Sequence, residues 1–335
     1  MAYTALADKV LSGQCPTQAE MHGVLNAPDP DLLPLLHAAY RVRHRYFGRR
    51  VRLHVLMNAK SGLCPEDCAY CSQSAVSKAQ INKYPLRPRQ EIVEGALKAR
   101  AGGAHRYCIV TSGRAPTDRE VHKVADIVRE IKQTVEIDIC CCMGLLTEDR
   151  ARILKNAGVG RVNHNLNTSR RHTPDIVSTH TYEDRVETLR TVQKVGLDTC
   201  CGGIVGMGET HADIIDLALA LRDLNVDSIP VNFLQAIDGT PLENRDDLTP
   251  ADGLKTLCLF RFVNPTREIR IAGGREKILR SLQPLGLYPT NSLFMDGYLT
   301  TGGQTVSETH RMIADMGFEV EIFQEKTAPP AGAKT

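Results

Sequence analysis

Eight short β-rich segments separated by helical patterns constrain this chain of 335 residues more than anything else in it. They are Val51–Asn58, Arg106–Val110, Glu136–Cys141, Arg161–Asn165, Asp198–Gly202, Ser228–Asn232, Ile269–Ile271 and Ser292–Phe294. The first begins with apolar and polar residues in alternation, the two-residue period of a strand. Between the segments the period becomes helical. Val121, Val124, Val128 and Ile131 form one face, and Ile214, Leu217, Leu221 and Leu224 another. Thr117 with Glu120 reads as a capping box. Gly102, Gly158, Gly196, Gly286 and Gly317 fall where helices would end in left-handed caps. This alternation predicts an α/β protein, a TIM-type (β/α)8 barrel, for which ~250 residues is the usual size. A doubly wound open sheet is the alternative. Residues 1–50 predict an N-terminal helical extension: Tyr3, Leu6 and Val10 share a face, and Leu32–Tyr46 forms a second helix. The barrel is assigned to residues 51–320. Residues 321–335, which include the Ala-, Pro-, Gly- and Lys-rich stretch Gln324–Thr335, predict a disordered tail.

Composition excludes several functions. The formal net charge is only +2, so no basic footprint suggests nucleic acid. Trp is absent and aromatics are 5%, too few for a base-stacking platform. No run approaches the ~20 apolar residues that span a bilayer. Met1 to Gln14 contains Asp8 and Lys9 and lacks the apolar stretch of a signal peptide. A cytoplasmic protein is expected. In that reducing compartment its eleven cysteines are read as ligands, catalytic groups or core residues rather than disulfides. Cys15 and Cys258 stand in helix-like surroundings and are assigned to packing.

Cys64-Pro65-Glu66-Asp67-Cys68-Ala69-Tyr70-Cys71 brings three thiols to one short loop after the first strand. Thiolates select zinc and iron–sulfur clusters. A structural zinc site and a [4Fe–4S] cluster both prefer four protein ligands, so three leave one metal position open to chemistry. A structural metal knot or a chance cluster of thiols is the plainer reading. Three later strands also carry cysteine: Cys108, Cys140-Cys141-Cys142 and Cys200-Cys201; the seventh carries Arg270. Strand residues alternate faces, so Cys140 and Cys142 point one way and Cys141 the other. Each taken alone could be a small core residue. Asn163-His164-Asn165-Leu166-Asn167 ends the fourth strand, and Gly202-Gly203-Ile204-Val205-Gly206-Met207-Gly208-Glu209 ends the fifth. The latter lacks the G-x-G-x-x-G spacing of a dinucleotide loop. His164 is expected to be a satisfied structural histidine.

The C-x3-C-x-aromatic-C spacing resembles that of radical S-adenosylmethionine (AdoMet) enzymes. Asn58-Ala59-Lys60-Ser61-Gly62 and Ser72-Gln73-Ser74, flanking it, are similar to the biotin synthases. Further matching words are Arg106-Tyr107-Cys108, Ile139-Cys140, Cys200 to Gly206 and Glu268-Ile269-Arg270-Ile271-Ala272-Gly273-Gly274-Arg275-Glu276. The resemblance runs from about Val51 to Val320. It implies a [4Fe–4S] cluster on Cys64, Cys68 and Cys71, whose open iron chelates AdoMet and whose electron yields a 5′-deoxyadenosyl radical. It further implies a [2Fe–2S] cluster on Cys108, Cys140, Cys200 and Arg270, with Cys142 as the rival ligand on the third strand. AdoMet would meet Asn165, Asn167, Gly202, Ile204 and Gly206. Asn167 departs from the Asp of many relatives, keeping a hydrogen bond but giving up charge. Asn232 would meet a ureido ring, and Thr300 and Thr301 a carboxylate.

The implied reaction inserts sulfur between C6 and C9 of dethiobiotin to form biotin, the last step of biotin biosynthesis. No persulfide-delivering segment is evident, so the interior cluster is the expected sulfur donor. The implied partners are an electron donor such as flavodoxin or ferredoxin and a second copy of the chain in a homodimer. A sibling radical AdoMet enzyme, such as a hydrogenase-cofactor maturase or 2-iminoacetate synthase, is one alternative. A non-catalytic iron–sulfur or zinc protein is the other.

Overall fold

The computed structural model describes residues 2–324. Strands β1 (Arg50–Lys60), β2 (Arg106–Thr111), β3 (Asp138–Cys142), β4 (Arg161–Asn163), β5 (Asp198–Cys200), β6 (Gly203–Val205), β7 (Ser228–Phe233), β8 (Glu268–Ile271) and β9 (Ser292–Phe294) pair in parallel. β9 returns to β1, with Arg52 opposite Ser292 and His54 opposite Phe294, so the sheet closes into a barrel. Eight staves result, because β5 and β6 are two pieces of one: Cys200 of β5 and Gly203–Val205 of β6 both pair with β7. The open-sheet alternative is excluded by that closure. A tenth strand, β10 (Glu319–Val320), pairs with the start of β1.

Alternation along the staves sorts the residues. Leu53, Tyr107, Ile109, Ile139, Cys141, Val162, Ile229, Val231, Ile269 and Leu293 belong to the main hydrophobic core. There they meet helix faces such as Val121, Val124, Val128 and Ile131 of the helix Asp118–Thr134. Burying each large aliphatic side chain is worth about 1.5–3 kcal/mol, and this shell carries most of that stabilisation. Thr117 and Glu120 form the expected capping box. Of the five expected glycine caps, Gly158, Gly196 and Gly317 have positive φ. Gly102 does not, because Gly103 takes the left-handed position one residue later, and Gly286 lies within the 3-10 helix Arg280–Leu287.

Helices α1 (Ala2–Leu11), α2 (Gln18–Leu25) and α3 (Leu32–Phe47) form the N-terminal extension. They pack on the barrel helix Pro250–Val263, burying Leu6, Val10, Leu35, Leu36 and Val42. The buried Arg43 donates to the carbonyls of Thr290 (2.9 Å) and Arg50 (2.7 Å), fastening α3 to the N-terminal ends of β9 and β1. Cys15 lies in the loop before the Thr17 cap rather than in a helix, whereas Cys258 is buried within one. Of the stretch 321–335, Glu321 bonds Arg52 at 2.8 Å and Phe323 stacks on His105, while residues 325–335 lie outside the described residues. Among the described residues no helix is long and apolar enough to cross a membrane.

The junction between β5 and β6 requires glycine. A Cβ on Gly202 would lie 1.8 Å from the Pro230 carbonyl oxygen of β7, too close for any side chain. Gly202→Ala must spread two staves and should cost about 1–3 kcal/mol or more. Calorimetry of the metal-free protein should show a midpoint lowered by several degrees. Gly23→Ala, where nothing lies within 4 Å in α2, should leave it unchanged or raise it slightly. A Gly202→Ala midpoint equal to wild type would contradict the packing described.

Candidate active site

One cavity of ≈ 310 Å³ opens at the C-terminal end of the barrel, the end where (β/α)8 enzymes carry their chemistry. Both groups of cysteines reach it: Cys64, Cys68 and Cys71 from the loop after β1, and Cys108, Cys140, Cys142 and Cys200 from the lumen. All eleven cysteines are free thiols.

The β1 loop is held by other parts of the chain more than by itself. Gly62 N–H donates to Gln73 Oε1 (2.8 Å), Ala75 N–H to the Glu66 carbonyl (2.8 Å) and Ala69 N–H to the Ile176 carbonyl (3.0 Å). The Asp67 carboxylate accepts from Ser178 N–H (3.0 Å), Thr179 N–H (3.2 Å), Thr179 Oγ1 (2.9 Å) and the Ser178 hydroxyl. Burial raises the Asp67 pKa, but these bonds outweigh it and hold the group well below the usual carboxylate range. Burial pushes the Cys68 thiol up to about 12 and raises Cys71 as well. Metal-free, both are therefore neutral thiols at physiological pH.

Tyr70, the aromatic residue of the cysteine spacing, joins this loop to the fourth stave. Its hydroxyl accepts from Asn167 Nδ2 at 2.6 Å. Asn167 has φ +71°, a left-handed conformation that Asn tolerates better than most residues. Its own backbone bonds Gly202 O and Ile204 N, which ties the fourth stave to the fifth. Asn165 Oδ1 accepts from Gly202 N–H (3.1 Å) and Asn163 Nδ2 (3.0 Å), leaving its amide nitrogen for the cavity. The Glu209 carboxylate folds back onto Gly206 N–H (2.6 Å) and Met207 N–H (2.7 Å), and Gly206, at φ +102°, makes that turn possible. His164 departs from expectation. It is buried at the cavity wall, but its Nε2 has no hydrogen-bond partner, and burial depresses its pKa, keeping the ring neutral.

Lower in the lumen, Cys108 stands directly opposite Cys140 on the paired strands. Asn163, opposite Cys200, donates to its sulfur at 3.2 Å, and Arg270 Nη1 approaches the same sulfur at 3.6 Å. Cys141 and Cys201 face outward into the hydrophobic core, where Cys201 Sγ accepts from Leu166 N–H. Cys142 shares the cavity with Cys140, and burial pushes its thiol up to about 12. Arg270 Nη2 donates to Glu268 Oε1 (2.6 Å) and Ser228 Oγ (2.7 Å), while its buried Nε has no partner. Three lumen thiols beside an unpaired guanidinium nitrogen suit a thiolate-ligated iron–sulfur group. The three thiols of the β1 loop likewise fit a cluster with one open iron.

Gly202, Ile204 and Gly206 are brought alongside Asn165 and Asn167, and Ile204 lines the cavity. Asn232 also lines it, but its amide bridges the Gly203 carbonyl and Gly273 N–H, both at 3.0 Å. Only one N–H and one lone pair remain for a ligand. Thr300 bonds Ser72 beside the cysteine loop (3.1 Å), and the Thr301 hydroxyl donates to the Tyr298 carbonyl (2.8 Å). Sequence reasoning missed Arg185. It lines the cavity, donates from Nε to His180 Nε2 (2.8 Å) and from Nη1 to the Asn165 carbonyl (2.6 Å), and lies close enough to Cys68 to favour its thiolate. His180 in turn pairs with Glu66. No local motif marks this relay; only the fold assembles it.

Residues 60–221 match the radical SAM superfamily, and residues 230–319 match the biotin and thiamin synthesis associated domain. Among curated proteins, the biotin synthase of Bacillus licheniformis is 54% identical over 96% of this chain and 97% of its own length. That of Bacillus subtilis is 53% identical over 96% of each. Among solved structures, methylornithine synthase superposes with a TM-score of 0.83 at 20% identity, covering 94% of this chain and 97% of that one, a likeness of fold.

The four bonds to Asp67 carry most of the attachment of the cysteine loop to residues 178–179, beside the Thr179 hydroxyl's contacts with Glu66 Oε2 (2.8 Å) and Asp67 N–H (3.2 Å). Asp67→Ala should lower amide-exchange protection across 64–71 by roughly tenfold or more, the loss expected for a carboxylate acceptor. Its folded pKa is depressed, so the tie is fully present above the unfolded value near ~3.9 and is lost as pH falls through the folded one. Exchange measured by mass spectrometry at neutral pH checks this. Unchanged protection would show that the other tethers suffice.

Proposed function

The chain belongs to the biotin synthase family, and on that premise we propose how its barrel converts dethiobiotin to biotin by radical AdoMet chemistry. The observation that carries the reading is the shared cavity, with one thiol set at its mouth and a second set with Arg270 on its floor. Cys64, Cys68 and Cys71 would hold a [4Fe–4S] cluster; Cys108, Cys140, Cys200 and Arg270 would hold a [2Fe–2S] cluster. When bound, the first supplies the electron that cleaves AdoMet to a 5′-deoxyadenosyl radical, and the second supplies sulfur.

The protein's own residues bind, orient and shield. The amide nitrogen of Asn165 and the side chain of Asn167 are suited to the ribose hydroxyls of AdoMet. Gly202, Ile204 and Gly206 offer backbone and one apolar side chain to its adenine. Arg185 keeps donor capacity beyond its two bonds and would meet the AdoMet carboxylate. Asn232 would use its remaining N–H and lone pair on the ureido ring of dethiobiotin, with Thr300 and Thr301 at the carboxylate end. So bound, C6 and C9 would lie between the two thiol sets. Those carbons bear unactivated C–H bonds that no acid or base side chain can open, and enclosure protects a radical from water. The outward-facing Cys141 and Cys201 take no part; Cys142 remains a cavity thiol that is not a ligand. We also assign a cytoplasmic location, a flavodoxin- or ferredoxin-type electron donor and a homodimer.

The test is anaerobic reconstitution with iron and sulfide, followed by mass spectrometry of the products from AdoMet and dethiobiotin. Wild type should give 5′-deoxyadenosine and biotin. Cys68→Ala should give neither, a loss of at least a hundredfold. Cys140→Ala and Cys200→Ala should lose the inner irons and biotin while retaining AdoMet cleavage. Cys141→Ala, Cys142→Ala and Cys201→Ala should keep the full iron content. Loss of inner iron from Cys142→Ala but not Cys140→Ala would reverse the assignment on β3.

A further inference from the structure

Arg270 is anchored to oxygen at one end only. Its Nη2 is anchored by Glu268 Oε1 and Ser228 Oγ, its Nη1 faces Cys200 Sγ, and its Nε is buried without a partner. Phe294 lies along the guanidinium, with its ring centroid 5.0 Å from Cζ. The Ser228 hydroxyl accepts from Arg270 while donating to Glu268 Oε1 at 2.9 Å, so its own orientation depends on that carboxylate. We propose that Glu268 is the positioning residue that aims Arg270 at the inner cluster, an inference that rests on the reading given under Proposed function.

The charges around Glu268 single out Arg270. Glu268 is 3% exposed and faces four arginines: Arg270 on Oε1, then Arg161 (3.2 Å), Arg52 (3.4 Å) and Arg106 (3.5 Å) on Oε2. Arg161, Arg52 and Arg106 each have a second carboxylate: Asp198 (3.3 Å), Glu321 (2.8 Å) and Asp138 respectively. Arg270 has none besides Glu268 among the described residues. Removing the Glu268 charge therefore leaves three arginines paired with a carboxylate and the fourth, the candidate ligand, with none and held less firmly, by Ser228 and Cys200 alone. His54, whose Nε2 is 3.1 Å from Oε1, cannot substitute: burial and the nearby Arg270 hold it neutral. A generic packing role would not distinguish Arg270 from its three neighbours.

The experiment compares reconstituted wild type, Glu268→Gln and Glu268→Ala. Glutamine preserves volume and one acceptor, so it covers the case in which alanine fails to fold. The readouts are Mössbauer quantitation of each cluster, half-life of the inner cluster against an iron chelator, its reduction potential, and AdoMet binding. Expected are unchanged [4Fe–4S] content and AdoMet affinity. The inner cluster should be lost to chelator at least about tenfold faster in Glu268→Ala, with Glu268→Gln intermediate. Its potential should rise in both variants, because a negative charge beside it has gone. Equal loosening of both clusters would mark Glu268 as merely structural and overturn the proposal. Wild-type half-life and potential in both variants would overturn it too, leaving the two-cluster reading intact. A wild-type protein that takes up the [4Fe–4S] cluster but no inner cluster would overturn that reading itself.

Discussion

A closed barrel gives every stave two environments, and the two-residue period of a strand decides which residue meets which. The outer face here is conventional, with aliphatic side chains against helices. The lumen is not. Barrels of this kind usually fill it with layers of branched aliphatics. This one places Arg52, Arg106, Asp138, Arg161, Asp198 and Glu268 on its lower level, at or near the N-terminal ends of the staves. An unpaired ion buried there would cost several kcal/mol, and removing one partner of a buried pair costs about 3–5 kcal/mol. The layer is tolerable because each arginine meets at least one carboxylate. The stabilisation of the fold therefore falls to the outer shell, and the lumen is left to serve chemistry.

That division explains the stacking of the site. Above the charged level come Cys108, Cys140 and Cys200, one residue pair further along the same lumen faces as Arg106, Asp138 and Asp198. Above them is Cys142, and at the rim the loop with Cys64, Cys68 and Cys71. Burial disfavours the thiolate form of Cys68, Cys71 and Cys142, so these sulfurs are protonated until something soft and positively charged displaces the proton. Only the first two belong to a proposed cluster. Cys142 shares the cavity with Cys140 and is its rival on the same face of that stave.

Much of the architecture was legible from periodicity alone. The eight β-rich segments all became staves, and the helical faces were those that became buried. Where prediction slipped, a specific force intervened. The fifth stave is interrupted beside Pro230 of β7, which has no N–H to give the ladder, and its Gly202 lies too close to the Pro230 carbonyl for any side chain, a contact between residues far apart in sequence. The glycine cap moved from Gly102 to Gly103 because two adjacent glycines are equivalent until the helix chooses its last turn. The faces of Cys140 and Cys141 followed from alternation, but alternation could not say which cavity thiol ligates. The charged lumen did leave a trace: R-x-H, R-x-C, D-x-C, R-x-N and D-x-C on the first five staves and E-x-R on the seventh, polar where a barrel core should be aliphatic. Arg185, His180 and Glu66 left none, because they come from a helix, the loop before it and the β1 loop, and only the fold brings them together.

The rim shows why the cysteine spacing includes an aromatic residue. Three thiols on a short loop could be presented by many backbones. Tyr70 reduces that freedom, since its hydroxyl accepts from Asn167, whose left-handed backbone engages Gly202 and Ile204. A hydrogen bond of this kind contributes about 0.5–1.5 kcal/mol, which favours the assembled arrangement. The thiol loop, the asparagine word of the fourth stave and the glycine word of the fifth thus form one unit, although over a hundred residues of chain separate its ends. On the proposed reading AdoMet would touch all three words at once. Their mutual hydrogen bonds hold them in register before it arrives, which lowers the ordering cost of binding.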